Sequence, residues 1–403
     1  MSGERIGEVM NTKEIIAQYE KFVINTYTRA PVIVVKGKGL NVRDLEGKEY
    51  LDFFPGWAVS GLGHCHPKVV NAIRNYLKKI IHVPNNFYNM LQGKLAGKII
   101  EHAFEGKVFF CNSGAEANEA AIKLVRAYGS NSGRHEIITM EDSFHGRTLA
   151  TVTATGQVKY QKGFDPLPSG FKIVPFNDIK AVKEAISDKT IAVMLELIQG
   201  EGGINVASHD YVSEIRKICD ERDLVLIFDE VQTGIGRTGK MFCFQHYNIK
   251  PDLMTLAKAL GGGIPIGAMV SSSKFEGVLK PGMHASTFGG SPIACSASLG
   301  VFSAIEKEGL LSNTQKMGEY LVKKLNKLKD RRPVIKEIRG KGLMIGLELS
   351  IDGKGIVEGC LKEGLFINCT HGNVLRLMPG MIVTGKQIDR AIEVLEKVLG
   401  DRC

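Results

Sequence analysis

Apolar and polar residues alternate in blocks through the middle of the chain, between about residues 107 and 228. Short runs rich in β-branched and aromatic residues predict strands, and longer stretches with a helical period separate them. The predicted strands are 107–110, 136–139, 191–195 and 224–228, and the predicted helices include 115–128 and 210–221. This alternation predicts an α/β fold, in which a mostly parallel sheet is flanked by helices on both faces.

The two ends of the chain follow other patterns. Residues 12–26 predict a short amphipathic helix, and 32–35 with 39–54 predict a strand meander that turns at 46–48. From about residue 291 a long helical stretch leads to two strands around glycines at 336–349, which indicates a smaller α+β domain. We therefore predict an N-terminal segment, 1–60, that contributes to the small domain, then a large domain, 61–290, and a small C-terminal domain, 291–403.

Composition and charge narrow the classes of function. The 403 residues are 44% hydrophobic and carry a net charge of +9. Because acids are interspersed among the lysines and arginines, we expect anionic small-molecule ligands rather than nucleic acid. The eight cysteines form no C-x-x-C pair, which indicates neither zinc nor disulfides. With no apolar run near the roughly 20 residues of a membrane span and no apolar signal core, we expect a soluble, cytoplasmic protein.

An acid and a lysine are the most informative candidates for chemistry. The predicted strand 224–228 ends at Asp229, and the carboxyl edge of a parallel sheet is where such folds place ligands. Lys258 lies among small and apolar residues just before a run of glycines. Pyridoxal phosphate chemistry needs this combination, because the lysine forms a Schiff base and the acid keeps the pyridine nitrogen protonated.

Two further segments follow predicted strands. In 111–119, the small residues around Ser113 and Gly114 let backbone N–H groups approach a phosphate at a helix N-terminus. The same residues also suit an ordinary serine N-cap with a glutamate three positions later. In 143–148, Phe144 could stack on a planar ring and Arg147 could hold a carboxylate, although an exposed loop would look alike. A histidine such as His145 is more often a structural hydrogen-bond partner than a general base.

Three loops complete the candidate set, each with a simpler alternative. Residues 199–203 place Glu201 among glycines, where a plain turn is the alternative. Residues 286–292 suit a phosphate or a local hydroxyl turn. Arg376 lies within an apolar strand, so it either reaches solvent from an edge or, if buried, needs a carboxylate partner. The 63–67 segment, with two histidines around a cysteine, indicates a structural turn rather than a metal site.

Taken together, these residues resemble the class III (ω-amino acid type) aminotransferases, and most closely the acetylornithine aminotransferases among them. The resemblance runs from about residue 26 to the C-terminus. The matching motifs lie at 47–53, 62–67, 113–119, 144–148, 229–234, 257–258, 286–290 and 373–376. It implies the aspartate-aminotransferase-like PLP fold, with 61–290 as the large PLP-binding domain.

The resemblance also implies roles for individual residues around pyridoxal 5′-phosphate. Lys258 resembles the Schiff-base lysine and proton carrier, and Asp229 resembles the partner of the pyridine nitrogen. The full cofactor set implied is Ser113, Gly114, Ala115, Phe144, Asp229, Gln232, Lys258 and Thr287. The family threonine at the position of Thr287 reaches the phosphate from the neighbouring subunit, which implies a homodimer with shared active sites.

For substrates, the resemblance implies two carboxylate-binding arginines. Arg147, with Ser286 beside it, matches the position that holds the distal carboxylate of the amino donor. Arg376 matches the position for the α-carboxylate of glutamate or 2-oxoglutarate, and Glu201 resembles the residue that pairs with this arginine and moves aside for the dicarboxylate.

The function implied is transamination of N-acetylornithine with 2-oxoglutarate in arginine biosynthesis. Leu197 and Gly380 depart from the prolines usual in the family, and both border the substrate pocket. Other ω-amino donors, namely 4-aminobutyrate, succinylornithine and ornithine, stay open as alternatives. A PLP aminomutase would not need the Arg376 and Glu201 pair, and a non-catalytic binding protein would not need Lys258 and Asp229 intact.

Overall fold

A computed structural model describes residues 10–400 of the chain. Its strands are β1 (Val34–Lys38), β2 (Asn41–Asp44), β3 (Glu49–Asp52), β4 (Gly106–Cys111), β5 (Glu136–Met140), β6 (Phe171–Val174), β7 (Thr190–Leu195), β8 (Ile198–Gln199), β9 (Asn205–Val206), β10 (Val225–Asp229), β11 (Leu253–Leu256), β12 (Gly267–Ser272), β13 (Ile335–Lys341), β14 (Met344–Leu349), β15 (Leu365–Phe366), β16 (Asn368–Thr370) and β17 (Val374–Leu377). Its α-helices are α1 (Thr12–Phe22), α2 (Pro67–Leu77), α3 (Met90–His102), α4 (Gly114–Gly129), α5 (Leu149–Ala154), α6 (Val158–Gln161), α7 (Ile179–Ala185), α8 (His209–Glu221), α9 (Pro292–Lys307), α10 (Leu310–Lys329), α11 (Lys354–Lys362) and α12 (Gly385–Gly400). No helix within residues 10–400 is long and apolar enough to cross a membrane.

The largest sheet has seven strands in the order β4-β12-β11-β10-β7-β5-β6. Neighbouring strands from β11 to β6 pair in parallel, and β12 alone runs against its two neighbours, β11 and β4. The predicted α/β fold with a mostly parallel sheet is therefore confirmed. Its carboxyl edge gathers the ends of β4, β7 and β10, where the candidate residues lie.

Both faces of this sheet are covered. Along β10, Leu226 and Phe228 belong to one buried apolar cluster, and Val225 and Ile227 belong to another on the opposite face. Successive side chains of a strand point to opposite faces, so a strand buried on both sides must be apolar throughout. This explains the uninterrupted apolar run that ends at Asp229.

Most predicted elements lie within a residue or two of the observed ones. The strands β4, β5, β7 and β10 and the helices α4 and α8 are confirmed. Two elements differ. The first helix ends at Phe22 rather than near 26. The single long helical stretch after 291 is two helices, because Gly309, with φ of 64°, interrupts it.

The remaining strands form smaller sheets that join distant parts of the sequence. The order β1-β2-β3-β15 pairs the N-terminal meander with residues 365–366, and β13-β14-β17-β16 is antiparallel. Leu40, Leu51 and Phe53 share an apolar cluster with side chains from 321–399. The division at residues 60 and 290 stays a prediction, and this shared packing is the observation in its favour.

Arg237 connects these parts of the molecule. Arg237 is 1% exposed, and its guanidinium has no carboxylate partner among the described residues. Nη1 donates to the carbonyl oxygens of Leu343 at 3.1 Å, Met378 at 3.3 Å and Pro379 at 2.5 Å. Burial lowers the pKa of Arg237 to about 10. The segment that follows Asp229 is thus attached directly to the segment that follows Arg376.

Candidate active site

Asp229 lies at the carboxyl end of β10 and is held by three N–H donors. Its Oδ2 accepts from Asn118 Nδ2 and from His145 Nδ1, both at 2.8 Å, and its Oδ1 accepts from the backbone N–H of Val231 at 3.0 Å. Asp229 is only 3% exposed. A buried carboxylate with this many donors has one fixed orientation and lies at the sheet edge where ligands bind.

His145 is a buried hydrogen-bond partner of Asp229, the structural role that a loop histidine most often has. Burial alone would lower the pKa of His145, but the hydrogen bond to Asp229 and the charge of that carboxylate outweigh it and raise the pKa. The other ring nitrogen, Nε2, is buried and has no partner among the described residues. Asn118 completes the group, because its Nδ2 also donates to the His145 carbonyl at 2.7 Å.

Lys258 begins a short 3₁₀ turn, Lys258–Gly261, just after β11. Its backbone is left-handed, with φ of 46°, a conformation uncommon outside glycine and often found at functional sites. The side chain is half-buried and has no hydrogen-bond or ion-pair partner within residues 10–400. Burial lowers the pKa of Lys258, although the negative charges of Glu201 and Asp229 oppose this. An amine in this state is available for covalent and proton-transfer chemistry.

A cavity of about 410 Å³ brings the predicted cofactor residues together. It is lined by Ser113, Gly114, Ala115, Phe144, Arg147, Asp229, Gln232 and Lys258, together with Val59, Asn112, Asn118, His145, Gly146, Glu196, Val231, Ala257 and residues 263–266. Among the predicted cofactor residues, only Thr287 is not on its wall.

One end of this cavity is the N-terminus of α4. Ser113 is the N-cap, and its Oγ accepts from the Glu116 N–H at 3.2 Å, which is the alternative that the sequence left open for this residue. The glutamate carboxylate instead accepts from Asn112, through the backbone N–H at 2.6 Å and Nδ2 at 2.9 Å. A Cβ on Gly114 would lie 2.7 Å from Val231 Cγ1, so only glycine fits there. The free N–H groups of a helix N-terminus bind phosphate well.

Glu196 is a second buried acid, and it is not among the residues predicted for the site. Its Oε2 accepts from the Phe144 N–H at 2.9 Å and its Oε1 from the Gly200 N–H at 3.2 Å. Burial raises the pKa of Glu196 to about 7. It follows β7 directly, as Asp229 ends β10, and this shared placement after a buried strand is the signal that would have identified it.

Arg376 and Glu201 form a buried ion pair beside the cavity. Arg376 is 1% exposed, and its Nη1 and Nη2 donate to Glu201 Oε1 at 2.5 Å and Oε2 at 3.3 Å. Nε donates to Asn368 Oδ1 at 2.7 Å, and the guanidinium carbon lies 4.8 Å from the centre of the Phe54 ring. Of the two alternatives for Arg376, the structure therefore shows the buried position with a carboxylate partner.

The turn that carries Glu201 is held along its whole length by side chains. The carbonyls of four successive residues, 200–203, each accept one hydrogen bond. The donors, in that order, are Arg376 Nη1 at 2.8 Å, Thr370 Oγ1 at 2.6 Å, Asn205 Nδ2 at 2.8 Å and Arg339 Nε at 2.9 Å. The backbone of this turn is thereby fixed, which leaves the side chain of Glu201 as its movable part.

Arg147 lies exposed at the mouth of the cavity. Its guanidinium carbon is 4.0 Å from the centre of the Tyr160 ring and 5.4 Å from that of Phe144, and no carboxylate pairs with it in the described part of the chain. Aromatic faces hold the cation without neutralising it. Arg147 can therefore accept a carboxylate from a ligand.

Ser286 and Thr287 do not line this cavity. Ser286 Oγ accepts from the Gly289 N–H at 3.1 Å, which is the local hydroxyl turn, and from Asn112 Nδ2 at 3.2 Å. Thr287 is exposed. Within one chain, the structure thus separates these two residues from the other predicted site residues.

The fold and the cavity define a pyridoxal-phosphate enzyme of fold type I. The cavity supplies a helix N-terminus for a phosphate, an unpaired lysine amine and a buried carboxylate fixed by hydrogen bonds, and these residues fit the cofactor. The chain belongs to the family Aminotransferase class-III, whose model matches residues 23–399. It is therefore a PLP-dependent aminotransferase.

Similar proteins agree with this assignment. The chain is 53% identical to the acetylornithine aminotransferase of Caldanaerobacter subterraneus subsp. tengcongensis, covering 96% of this chain and 99% of the relative, and 51% identical to that of Methanocaldococcus jannaschii, covering 96% and 98%. The ornithine aminotransferase of Toxoplasma gondii superposes with a TM-score of 0.93 at 30% identity, covering 97% of this chain and 96% of that one. A second structure of the T. gondii enzyme, with partial PLP occupancy at its active site, gives 0.91 at 31% identity, covering 96% and 94%.

Proposed function

We propose that this aminotransferase transfers the side-chain amino group of N2-acetyl-L-ornithine to 2-oxoglutarate, giving N-acetyl-L-glutamate 5-semialdehyde and L-glutamate in arginine biosynthesis. The observation that carries the proposal is a pair of arginines in opposite states. Arg147 is exposed and unpaired at the cavity mouth, whereas Arg376 is buried and neutralised by Glu201. Two substrates that differ in where they carry carboxylates need two such sites.

The cofactor residues are proposed to act as follows. Ser113, Gly114 and Ala115 would bind the phosphate at the start of α4, Phe144 would stack on the ring, and Gln232 would donate a hydrogen bond near the ring oxygen. Asp229 keeps the pyridine nitrogen protonated, and Asn118 and His145 hold its carboxylate in place. Bound pyridoxal phosphate supplies an electron sink for the electron pair left when the substrate loses a proton.

Lys258 is proposed to hold the cofactor covalently and then to move the proton. With the cofactor bound, Nζ would hold it until the substrate amine takes that place, and the freed Lys258 amine would then accept the proton from the substrate carbon and pass it on. Because burial lowers the pKa of Lys258, more of the amine is neutral near pH 7, which is the form that accepts a proton. Its half-buried position limits competing reaction with water.

The arginines are proposed to distinguish the donor from the acceptor. Arg147 holds the distal carboxylate of the donor while Glu201 keeps Arg376 neutralised. When the acceptor enters, Glu201 turns away and Arg376 binds the α-carboxylate through two parallel hydrogen bonds. The high identity to acetylornithine aminotransferases supports this donor over 4-aminobutyrate, succinylornithine or ornithine.

The protein is further proposed to act as a homodimer in the cytoplasm, in which Thr287 completes the phosphate site of the neighbouring subunit. Large exposed apolar side chains surround Thr287: Phe288 follows it, and the exposed Phe87 and Tyr88 follow Asn85, whose Nδ2 donates to the Ser286 carbonyl at 2.9 Å. Exposed apolar patches of this kind mark protein interfaces. Sedimentation at micromolar concentration should give twice the mass of one chain.

The absorption spectrum of the purified holoenzyme tests the reaction. Titration with N-acetylornithine should convert the cofactor band at much lower concentration than titration with 4-aminobutyrate, and later addition of 2-oxoglutarate should restore the band. Conversion by 4-aminobutyrate at the lower concentration would keep the chemistry and overturn the donor. A Lys258→Ala protein that turns over at the wild-type rate would overturn the mechanism.

A further inference from the structure

We infer that Asn368 is a positioning residue that sets the affinity of Arg376 for the acceptor carboxylate, and that its neutrality is the property that matters. The inference rests on the proposed function, in which Arg376 binds a dicarboxylate. It assigns Asn368 a role in deciding how strongly the second substrate competes with Glu201 for one guanidinium.

Strand pairing places Asn368 against Arg376. The two residues are directly opposite each other where β16 and β17 pair in antiparallel fashion. Directly opposed residues project to the same face of a sheet, so their side chains interact. Asn368 Oδ1 accepts from Arg376 Nε at 2.7 Å as a result.

The donors of the guanidinium divide into fixed and removable contacts. Nε–H is bound by Asn368, and one N–H of Nη1 is bound by the Gly200 carbonyl at 2.8 Å. The other contacts, from Nη1 and Nη2, go to the carboxylate of Glu201. Because side chains hold the backbone of residues 200–203, only the Glu201 carboxylate can leave. Its departure frees one N–H on each terminal nitrogen, the arrangement that binds a carboxylate with two parallel hydrogen bonds.

The three contacts that remain are all uncharged. The carbonyl of Gly200 and the amide of Asn368 orient the guanidinium without neutralising it, and the face of Phe54 does the same. Arg376 therefore keeps its full charge for one mobile carboxylate at a time, either Glu201 or the substrate. A carboxylate at position 368 would be a permanent counter-ion to a group that is 1% exposed, where charge interactions are poorly screened.

The test is Asn368→Asp, which has almost the same shape and keeps the acceptor oxygen on Nε. In the holoenzyme we expect the KM for 2-oxoglutarate and the Kd for glutarate, an unreactive dicarboxylate measured by calorimetry, to rise at least tenfold. The rate of cofactor conversion by N-acetylornithine should change less than about twofold, because that half-reaction uses Arg147. The matched control is Asn326→Asp, which makes the same change of charge on the exposed face of α10. It should leave the KM for 2-oxoglutarate, the Kd for glutarate and the rate of cofactor conversion unchanged.

A second variant separates positioning from folding. Asn368→Ala removes the acceptor without adding charge, and we expect a smaller loss of glutarate affinity than for Asn368→Asp. A purely structural role would lower the melting temperature and slow both half-reactions alike, and that pattern would overturn the inference. Wild-type glutarate affinity in Asn368→Asp would also overturn it, while the proposed function would still stand if Arg376→Lys loses that affinity. If the wild-type enzyme binds no dicarboxylate, the proposed function and this inference both fail.

Discussion

Removing the carboxylate of Glu201 is the sharpest test of the ion pair with Arg376. We expect Glu201→Ala to destabilise the ligand-free protein, because the variant leaves a guanidinium buried without a counter-ion. We also expect a dicarboxylate ligand to restore most of the lost stability, since it takes the place of the missing carboxylate. The stability of Glu201→Gln should lie between those of the wild type and Glu201→Ala, because glutamine keeps the shape of the side chain but not its charge.

The size of the effect follows from the contacts that remain. Removing one partner of a buried ion pair costs about 3–5 kcal/mol. Arg376 keeps the Gly200 carbonyl, the Asn368 amide and the Phe54 ring, so we expect a loss near the lower limit, about 3 kcal/mol. A ligand present at about 100 times its Kd raises the free energy of unfolding by about 2.7 kcal/mol. Glutarate at that concentration should therefore bring the variant close to the stability of the ligand-free wild type.

Urea unfolding followed by tryptophan fluorescence suits this measurement. Trp57 is the single tryptophan of the chain, and its ring lies 5.5 Å from that of Phe54, the residue beneath the guanidinium of Arg376. The control is Glu319→Ala, an exposed glutamate on α10, which should change the stability by less than about 0.5 kcal/mol. If Glu201→Ala unfolds at the wild-type urea concentration, or if glutarate does not stabilise it, the reasoning about Arg376 is wrong.

Three further changes test other parts of the site. Gly114→Ala should reduce cofactor retention on dialysis, because the new methyl group would lie 2.7 Å from Val231 and displace the phosphate-binding turn; full retention would contradict this. Since burial raises the pKa of Glu196 from 4.5 to about 7, the folded protein binds this proton more tightly than the unfolded chain does. The stability that Glu196 contributes should therefore fall as the pH rises from 4.5 to 7. Glu196→Gln should flatten the plot of melting temperature against pH over that range; a plot with the wild-type slope would contradict the assigned shift of the Glu196 pKa. Asn118→Ala should cost about 1–3 kcal/mol of unfolding free energy and reduce activity, because Asp229 loses a donor; wild-type turnover would exclude that role.

The central strands of the fold could be predicted because burial on both faces gives them an unmistakable composition. β7 and β10 are buried at every position, and both were predicted nearly to the residue. β12, Gly267–Ser272, was not predicted, because its small and hydroxyl residues resemble a loop. Only its pairing with β4 and β11 makes it a strand, and that pairing joins residues up to 166 positions apart.

Some residues of the candidate site can likewise be predicted from the sequence around them, and others cannot. Lys258 and Asp229 carry local signals, a strand end and a sheltered position before glycines. Asn118 carries none, because its partner Asp229 is 111 residues away and a polar residue within a helix usually faces solvent. The contacts that hold the Glu201 turn are to backbone carbonyls, which every residue has, so no sequence pattern reports them.

The buried cation of Arg237 has a consequence for where a substrate must carry its carboxylate. By joining the segment after Asp229 to the carbonyls of Met378 and Pro379, it ties the strand of Arg376 to the strand end that carries Asp229, the acid proposed to bind the cofactor. The chain cannot move that arginine inward or outward to suit a ligand. Under the proposed function, an acceptor whose carboxylate is not attached directly to the reacting carbonyl carbon would therefore place that carboxylate out of register with the guanidinium, so the position of the carboxylate becomes a criterion of selection.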